Sequence, residues 1–200
     1  MIYATWSEGF RPGLLNRPGG RTNPAGTFTV PFALETDDVV NMELGWKLDL
    51  LDRTLRFNGS AFAVDIEKLQ TTIFDPSIAN LFFSDNAADA EVRGIEGDII
   101  WTPASIDGLT LRGAFSILDT EITDVITPTN DVIEGDELAF APEFQGTLSA
   151  RYEWTLASVL TAHVTPNLSY SDQSFSDVIT INRDKMDSWT LVGLTAGVTN

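Results

Sequence analysis

Apolar and polar residues alternate along most of this chain. Between residues 144 and 154, every even position carries an apolar or small residue and every odd position a polar or charged one. A period of two places the apolar side chains on one face of a β-strand and the polar side chains on the other. Because helical spacing is hard to find elsewhere in the sequence, the chain is predicted to be all-β.

The same alternation predicts about eight strands, which cover residues 2–7, 40–50, 55–66, 90–102, 109–117, 144–154, 160–170 and 189–198. In two of these segments the apolar phase slips by one residue, once near Gly59 and once near Gly94. A β-bulge produces such a slip, and glycine within a strand often marks one. We therefore expect a bulge at each of these glycines.

The connections between the predicted strands are of two kinds, which alternate along the chain. Short turns cover residues 51–54, 103–108 and 155–159, whereas long loops cover residues 8–36, 75–89, 123–141 and 172–187. An antiparallel up-and-down sheet has this rhythm when its tight turns lie at one rim and its long loops at the other. Outer-membrane β-barrels show the same asymmetry.

Strand length and the placement of aromatic residues favour a membrane barrel. Several predicted strands reach ten residues, whereas strands of soluble proteins usually have about 5–6 and a tilted membrane-spanning strand needs about 9–11. Tryptophan and tyrosine gather near the strand ends, as they do at membrane interfaces. The alternative is a soluble or secreted β-sheet binding module, such as a sandwich adhesin or a lectin-like protein, whose core would hold these aromatic residues.

Composition excludes several classes of protein. The chain carries 12 Lys and Arg against 29 Asp and Glu, a formal charge of −17, so it lacks the basic face that a nucleic-acid partner requires. It has no cysteine, which excludes a disulfide scaffold and thiolate zinc sites. The single histidine, His163, cannot form a multi-histidine metal site and is expected to make a hydrogen bond on the polar face of its strand. No enzymatic activity and no cofactor are predicted.

Three segments resemble those of a known family. Residues 3–13 read YATWSEGFRPG, residues 41–47 read NMELGWK and residues 86–97 read NAADAEVRGIEG. They resemble the segments Y-a-x-x-S-x-G-F-r-P-g, N-x-E-l-G-x-K and N-a-g-x-A-x-x-x-G-x-E of the TonB-dependent outer-membrane receptors. Their order and spacing match as well, and the resemblance covers nearly the whole chain.

The resemblance implies a large fold of which this chain is one part. Members of the family have barrels of about 22 strands whose lumen is filled by an N-terminal plug domain. Residues 1–200 resemble the C-terminal part of such a barrel. We therefore expect an antiparallel up-and-down transmembrane β-barrel segment of about eight strands, with the signal peptide, the plug domain and the final strands outside this sequence.

The same resemblance implies a function for the full-length protein. Receptors of this family lie in the outer membrane of Gram-negative cells and import scarce nutrients by active transport. We therefore expect a ferric-siderophore or a similar iron complex as the ligand. The TonB complex and the plug domain are the expected protein partners, and outer-membrane lipid is the expected surroundings.

Five residues in the matching strands are candidates for contact with the plug or with other lumen side chains: Glu43, Gly45, Lys47, Gly94 and Glu96. Glycine within a strand permits close approach of another backbone. The alternation places the carboxylates of Glu43 and Glu96 toward the lumen. Ordinary lumen polarity is the alternative interpretation.

The first long loop holds the basic cluster of the chain. Arg11, Arg17 and Arg21 lie within eleven positions, and guanidinium groups pair with carboxylate or phosphate in a bidentate manner. These arginines are therefore candidate contacts for an anionic iron complex, together with Phe10 and Asn16. The alternative is that they pair with acidic residues of adjacent loops.

The segment 119–137 contains seven acidic residues and no Lys or Arg. Within it, Asp131, Glu134, Asp136 and Glu137 are candidate ligands for Ca²⁺, although their spacing does not match that of an EF-hand loop. A solvated acidic loop is the alternative interpretation.

Overall fold

The computed structural model describes residues 1–17, 19–79 and 82–199. Ten strands lie in these residues: β1 (Ile2–Arg11), β2 (Asp37–Leu50), β3 (Leu55–Ile73), β4 (Phe83–Trp101), β5 (Leu109–Val125), β6 (Phe144–Ala157), β7 (Leu160–Ser171), β8 (Ser174–Phe175), β9 (Lys185–Met186) and β10 (Trp189–Thr199). One 3-10 turn covers Thr180–Asn182. No helix in the described ranges has the length and apolar character that a membrane span requires. The predicted loops 8–36 and 75–89 each include positions outside the described residues.

Eight strands form one antiparallel sheet whose spatial order follows the chain. Strands β1 to β7 pair in sequence and β10 pairs with β7, whereas β8 and β9 form a separate two-stranded sheet. The predicted up-and-down arrangement of eight strands is therefore confirmed. In the part of the chain that the structure describes, the β8–β9 pair is the only other sheet. A sandwich requires two large sheets packed face to face, and the described residues form one large sheet in chain order, which fits the up-and-down arrangement instead.

The two faces of the large sheet differ in chemistry, because directly paired residues share a face. One row across the sheet carries apolar side chains: Leu48, Phe57, Ile99, Leu148, Leu168 and Val192. We call this the outer face, and many of its large side chains are exposed. A row on the opposite, inner face carries small or polar residues: Gly45, Ser60, Glu96, Ser116, Gln145 and Ser171. A sheet with this division requires an apolar environment outside and a polar one inside.

The prediction of a β-bulge at Gly59 and at Gly94 is wrong. Strands β3 and β4 pair without interruption along residues 55–66, and both glycines take ordinary places in that ladder. The register shifts lie instead beyond Ile66 in β3 and at Asp89 in β4.

The apolar residues shift from odd to even positions within β3 and β4 because the outer face becomes polar and the inner face becomes apolar toward the long loops. On the outer face, the apolar side chains give way to a row of acidic residues: Asp65, Glu91 and Glu121. On the inner face, a neighbouring row is apolar: Ile66, Ala90 and Ile122. A charged outer face is expected where strands leave an apolar environment, and the inner face becomes apolar because the long loops pack against it.

Several strands are longer than predicted for the same reason. Strand β3 runs to Ile73, β4 begins at Phe83 and β5 runs to Val125. In these extensions the outer face no longer carries apolar residues. The alternation expected of a membrane strand is therefore absent, and the sequence predicts a loop there.

The long loops fold back over the inner face and bury one hydrophobic core. Val30, Ile78, Val132 and Ile179, one from each long loop, belong to the same buried cluster as Phe83 at the start of β4. The loops are therefore a single packed layer. We call it the loop cap, and it comprises residues 12–17, 19–36, 74–79, 126–143 and 172–188.

Candidate functional site

Two of the predicted ligand contacts have structural partners. Arg11 donates through Nε to Oδ2 of the buried Asp37 at 2.8 Å and through Nη2 to the Gln70 carbonyl at 2.9 Å. Asn16 donates through Nδ2 to the Ser84 carbonyl at 2.6 Å, and its Oδ1 accepts the Ser84 amide at 2.8 Å. Arg11, the last residue of β1, therefore joins β1 to β2 and β3, whereas Asn16 ties the first long loop to β4.

The other two arginines are exposed on the same loop. In residues 1–17, 19–79 and 82–199, no carboxylate forms an ion pair with Arg17 or Arg21. Phe10 is 71% exposed, but it pairs with Asp38 on the outer face, opposite to Arg11. The structure therefore leaves two guanidinium groups available on the loop cap and does not place Phe10 beside Arg11.

The acidic segment 119–137 is divided between a strand and the loop cap. Its first three acidic residues belong to β5. Asp136 pairs with Arg183 of the last long loop, with 2.5 Å between Oδ2 and Nη1, and that guanidinium lies 3.6 Å from the Phe175 ring centroid. The basic partner that the segment itself lacks is thus supplied from a distant part of the chain.

The predicted Ca²⁺ ligands are not brought together. Among the residues that the structure describes, no three acidic or histidine side chains converge in a way that could hold a metal ion. Asp131, Glu134, Asp136 and Glu137 therefore do not converge as one group within the described ranges, and Asp136 is bound to Arg183 instead.

Asp75 and Asp131 contribute to the interior of the loop cap. Burial and the negative charge of Asp75 raise the pKa of Asp131. Burial also acts to raise the pKa of Asp75, but hydrogen bonds from the Ser77 hydroxyl and amide and from the Thr129 hydroxyl outweigh it, so this pKa is lowered. Because Ser77 and Thr129 belong to different loops, the Asp75 carboxylate joins them.

Glu43, Gly45 and Lys47 share the inner face with Tyr3, a residue that the sequence interpretation missed. The Tyr3 hydroxyl donates to Glu43 Oε1 at 2.8 Å, and Lys47 Nζ lies 5.9 Å from the centroid of its ring. A Cβ atom at Gly45 would lie 2.1 Å from Cζ of Tyr3. The absence of a side chain at position 45 therefore makes room for the ring, and only the register of β1 against β2 reveals this.

Gly94 and Glu96 also lie on the inner face. A Cβ atom at Gly94 would lie 2.6 Å from Cζ of Phe62, whose ring covers the glycine. Glu96 accepts a long hydrogen bond, 3.5 Å, from the Ser60 hydroxyl. His163 stands on the inner face against Gly197, but its Nδ1 is buried without a hydrogen-bond partner among the described residues, so the hydrogen bond expected there is not formed at that atom.

Replacing Gly45 with alanine in the full-length receptor should lower its stability by about 1–3 kcal/mol, the usual cost of overpacking a tight site. The new methyl group would displace the Tyr3 ring and break its bond to Glu43. Thermal unfolding of the purified protein in detergent measures the change.

The double variant Tyr3→Ala/Gly45→Ala tests whether the Tyr3 ring causes this loss of stability. In a Tyr3→Ala background the ring is gone, so Gly45→Ala should then cost little. An equal cost in both backgrounds would show that position 45 is required to be small for another reason, such as contact with the plug.

Comparison with known families identifies the fold. The family model described as TonB dependent receptor-like, beta-barrel matches residues 1–199. Among curated proteins, none matches this chain.

Solved structures of receptors share its architecture. The ferric yersiniabactin uptake receptor FyuA from Yersinia pestis is 14% identical with a TM-score of 0.70, over 98% of this chain and 27% of FyuA. The siderophore receptor PiuA from Acinetobacter baumannii is 20% identical with a TM-score of 0.67, over 98% of this chain and 27% of PiuA. BauA, the ferric preacinetobactin receptor from Acinetobacter baumannii, is 24% identical with a TM-score of 0.64, over 98% of this chain and 26% of BauA.

These likenesses establish the fold, and the chain spans about a quarter of the length of each receptor. Its open eight-stranded sheet is consistent with one part of a larger barrel. The family match over residues 1–199 places the chain in an outer-membrane setting. The chain belongs to the β-barrel family of the TonB-dependent receptors, which are receptors and transporters of the Gram-negative outer membrane.

Proposed function

We propose that the full-length receptor containing this chain imports a ferric-siderophore or a similar anionic iron complex by transport that the TonB complex energises. The observation that carries this ligand class is the pair of exposed guanidinium groups of Arg17 and Arg21, which have no ion-pair partner among the described residues. In a chain of net charge −17, exposed cations on the loop cap favour an anionic ligand. The names of FyuA, PiuA and BauA, which refer to siderophores or their ferric complexes, support the same ligand class.

The two faces of the sheet are proposed to contact different surroundings in the whole receptor. The apolar outer face is proposed to contact lipid, because large side chains such as Leu148 are exposed there and no other sheet of the described residues covers them. The inner face is proposed to contact the plug domain, with Glu43 and Glu96 offering carboxylates toward it.

The double variant Arg17→Gln/Arg21→Gln should weaken ligand binding by at least about tenfold. A lost hydrogen bond to a charged group costs about 1.5–3 kcal/mol, and 1.4 kcal/mol corresponds to a factor of about ten in affinity. The probes are the ⁵⁵Fe(III) complexes of a tris-catecholate, of a tris-hydroxamate and of citrate. Binding is measured on cells that express the full-length receptor and lack TonB.

Arg11→Gln is the matched control, because its guanidinium is already bound to Asp37 and Gln70. This change should loosen the end of β1 without removing an available cation, so it should affect binding less than the double variant. Unchanged affinity in Arg17→Gln/Arg21→Gln would contradict the proposed binding surface. A receptor that imports none of the three probes in cells with TonB would contradict the proposed function itself.

A further inference from the structure

Phe32 in the first long loop presents an open aromatic ring. Its side chain is 72% exposed, although its backbone is held in place, because the Asn16 amide donates to the Phe32 carbonyl at 2.9 Å. Two residues of the same segment, Val30 and Leu34, are buried, and Val30 belongs to the core of the loop cap. The ring is therefore displayed at a defined place on the loop cap.

Two glycines form the surface against which this ring rests. A Cβ atom at Gly19 would lie 2.7 Å from Cδ1 of Phe32, and one at Gly20 would lie 2.6 Å from its Cζ. Gly20 also has a φ of +83°, in the left-handed region that favours glycine. A larger residue at either position would displace the ring. The glycine pair thus supports the ring and leaves most of it open to solvent.

Two cations stand beside the same support. Arg17 and Arg21 flank the glycine pair in the sequence and are both exposed. Neither forms an ion pair with a carboxylate among the residues that the structure describes. The Arg21 carbonyl accepts the Val30 amide at 2.8 Å, which holds Arg21 opposite the segment that carries Phe32. We call Arg17, Arg21 and Phe32 the aromatic patch, because it combines one open ring with two available guanidinium groups.

We infer that the aromatic patch binds an aryl group of the ligand and that the imported complex is an iron(III) catecholate, an inference that rests on the proposed function. Aromatic rings attract one another in offset-stacked and edge-to-face arrangements. A guanidinium group stacks on aromatic faces and also pairs with anionic oxygens. The negative oxygens of a catecholate are attached directly to its ring, so a single ligand group meets both kinds of side chain in the patch.

This combination of side chains separates three classes of iron complex. A tris-catecholate of iron(III) keeps a net negative charge and carries aromatic rings. An aliphatic tris-hydroxamate of iron(III) is neutral and has no ring, and an iron(III) citrate complex is anionic but aliphatic. Only the tris-catecholate offers both a negative charge to Arg17 and Arg21 and a ring to Phe32.

Replacing Phe32 with leucine in the full-length receptor tests the contact with the aryl group. On cells that lack TonB, the unmodified receptor should bind the ⁵⁵Fe(III) tris-catecholate more tightly than the tris-hydroxamate or the citrate complex. Phe32→Leu should weaken binding of the tris-catecholate by about three- to tenfold, the effect expected of one aromatic pair. Phe32→Tyr keeps a ring and should retain the affinity. Because the side chain is largely exposed, neither change should disturb the core.

Two further variants separate the position of the ring from the mere loss of an exposed phenylalanine. Phe82 is 62% exposed and its ring lies 4.8 Å from the Phe74 ring by centroid distance, so Phe82→Leu is the matched control and should leave the affinity for the tris-catecholate unchanged. Gly19→Ala keeps the Phe32 ring but displaces it from its support. This variant should therefore weaken binding of the tris-catecholate as Phe32→Leu does.

The possible failures can be told apart. An unchanged affinity for the tris-catecholate in Phe32→Leu, or an equal loss in Phe82→Leu, would overturn the contact between Phe32 and the aryl group. Import of the tris-hydroxamate or the citrate complex without import of the tris-catecholate would overturn the ligand class while leaving the transport function standing. A receptor that imports none of the three complexes in cells with TonB would overturn the proposed function, and the aryl contact with it.

Discussion

Replacing Phe83 with alanine is expected to unfold the loop cap while the strands of the large sheet stay paired. Phe83 is only 2% exposed, lies 6.3 Å from the Phe28 ring by centroid distance and belongs to the core to which all four long loops contribute. Truncation of a buried phenylalanine typically costs about 3–5 kcal/mol. Because residues of all four long loops share this one core, a loss of this size should be felt across the whole cap.

Amide hydrogen exchange and limited proteolysis of the full-length receptor measure this effect. Exchange should accelerate in residues 19–36 and 126–143 together, because one core holds both loops. Phe82→Ala is the matched control: the neighbouring side chain is 62% exposed, and its ring lies 4.8 Å from the Phe74 ring by centroid distance. Acceleration in only the loop nearest Phe83 would show that the cap is not one cooperative unit.

Replacing Leu148 with arginine should destabilise the membrane-inserted receptor by about 2–4 kcal/mol, the cost of a cationic side chain on the lipid face near the midplane. Leu148 is 53% exposed on the outer face and pairs directly with Leu168 and Gly113. The free energy of unfolding from lipid vesicles, obtained by denaturant titration of the full-length protein, measures the change.

Thr147→Arg provides the matched comparison at the adjacent position. Thr147 lies on the inner face, paired with Ala114 and Ser169, where an added charge remains hydrated. This variant should therefore cost much less than Leu148→Arg. Equal costs at the two positions would refute the assignment of the outer face to lipid.

The alternation of residue types was sufficient to predict strands wherever the outer face is apolar. Strand β6 is the clearest case: its predicted range, 144–154, lies within the observed Phe144–Ala157. Toward the long loops the same rule failed, because Asp65 and Glu91 occupy the outer face there while Ile66 turns inward. A period of two identifies a strand, but it cannot say which face is apolar once the surroundings change.

The candidate site was harder to predict because its contacts join distant parts of the chain. The arginines of the first loop were found by composition alone, yet composition could not separate Arg11, which is bound to Asp37, from Arg17 and Arg21. Gly45 was predicted to permit the close approach of another backbone, and the structure places a side chain there instead. Its neighbour in the structure is the Tyr3 ring, 42 positions earlier in the chain and brought there by strand pairing.

The sequence by itself determined the class of fold, the family and the division of the chain into short turns and long loops, because side-chain periodicity and turn length are local properties. Only the tertiary structure decided that the four loops share one core, that Arg183 neutralises Asp136, and that the Tyr3 ring occupies the space beside Gly45. Each of these depends on strand register and loop packing. A shift of one residue in register would reverse the face of every side chain, and no local pattern in the chain reports it.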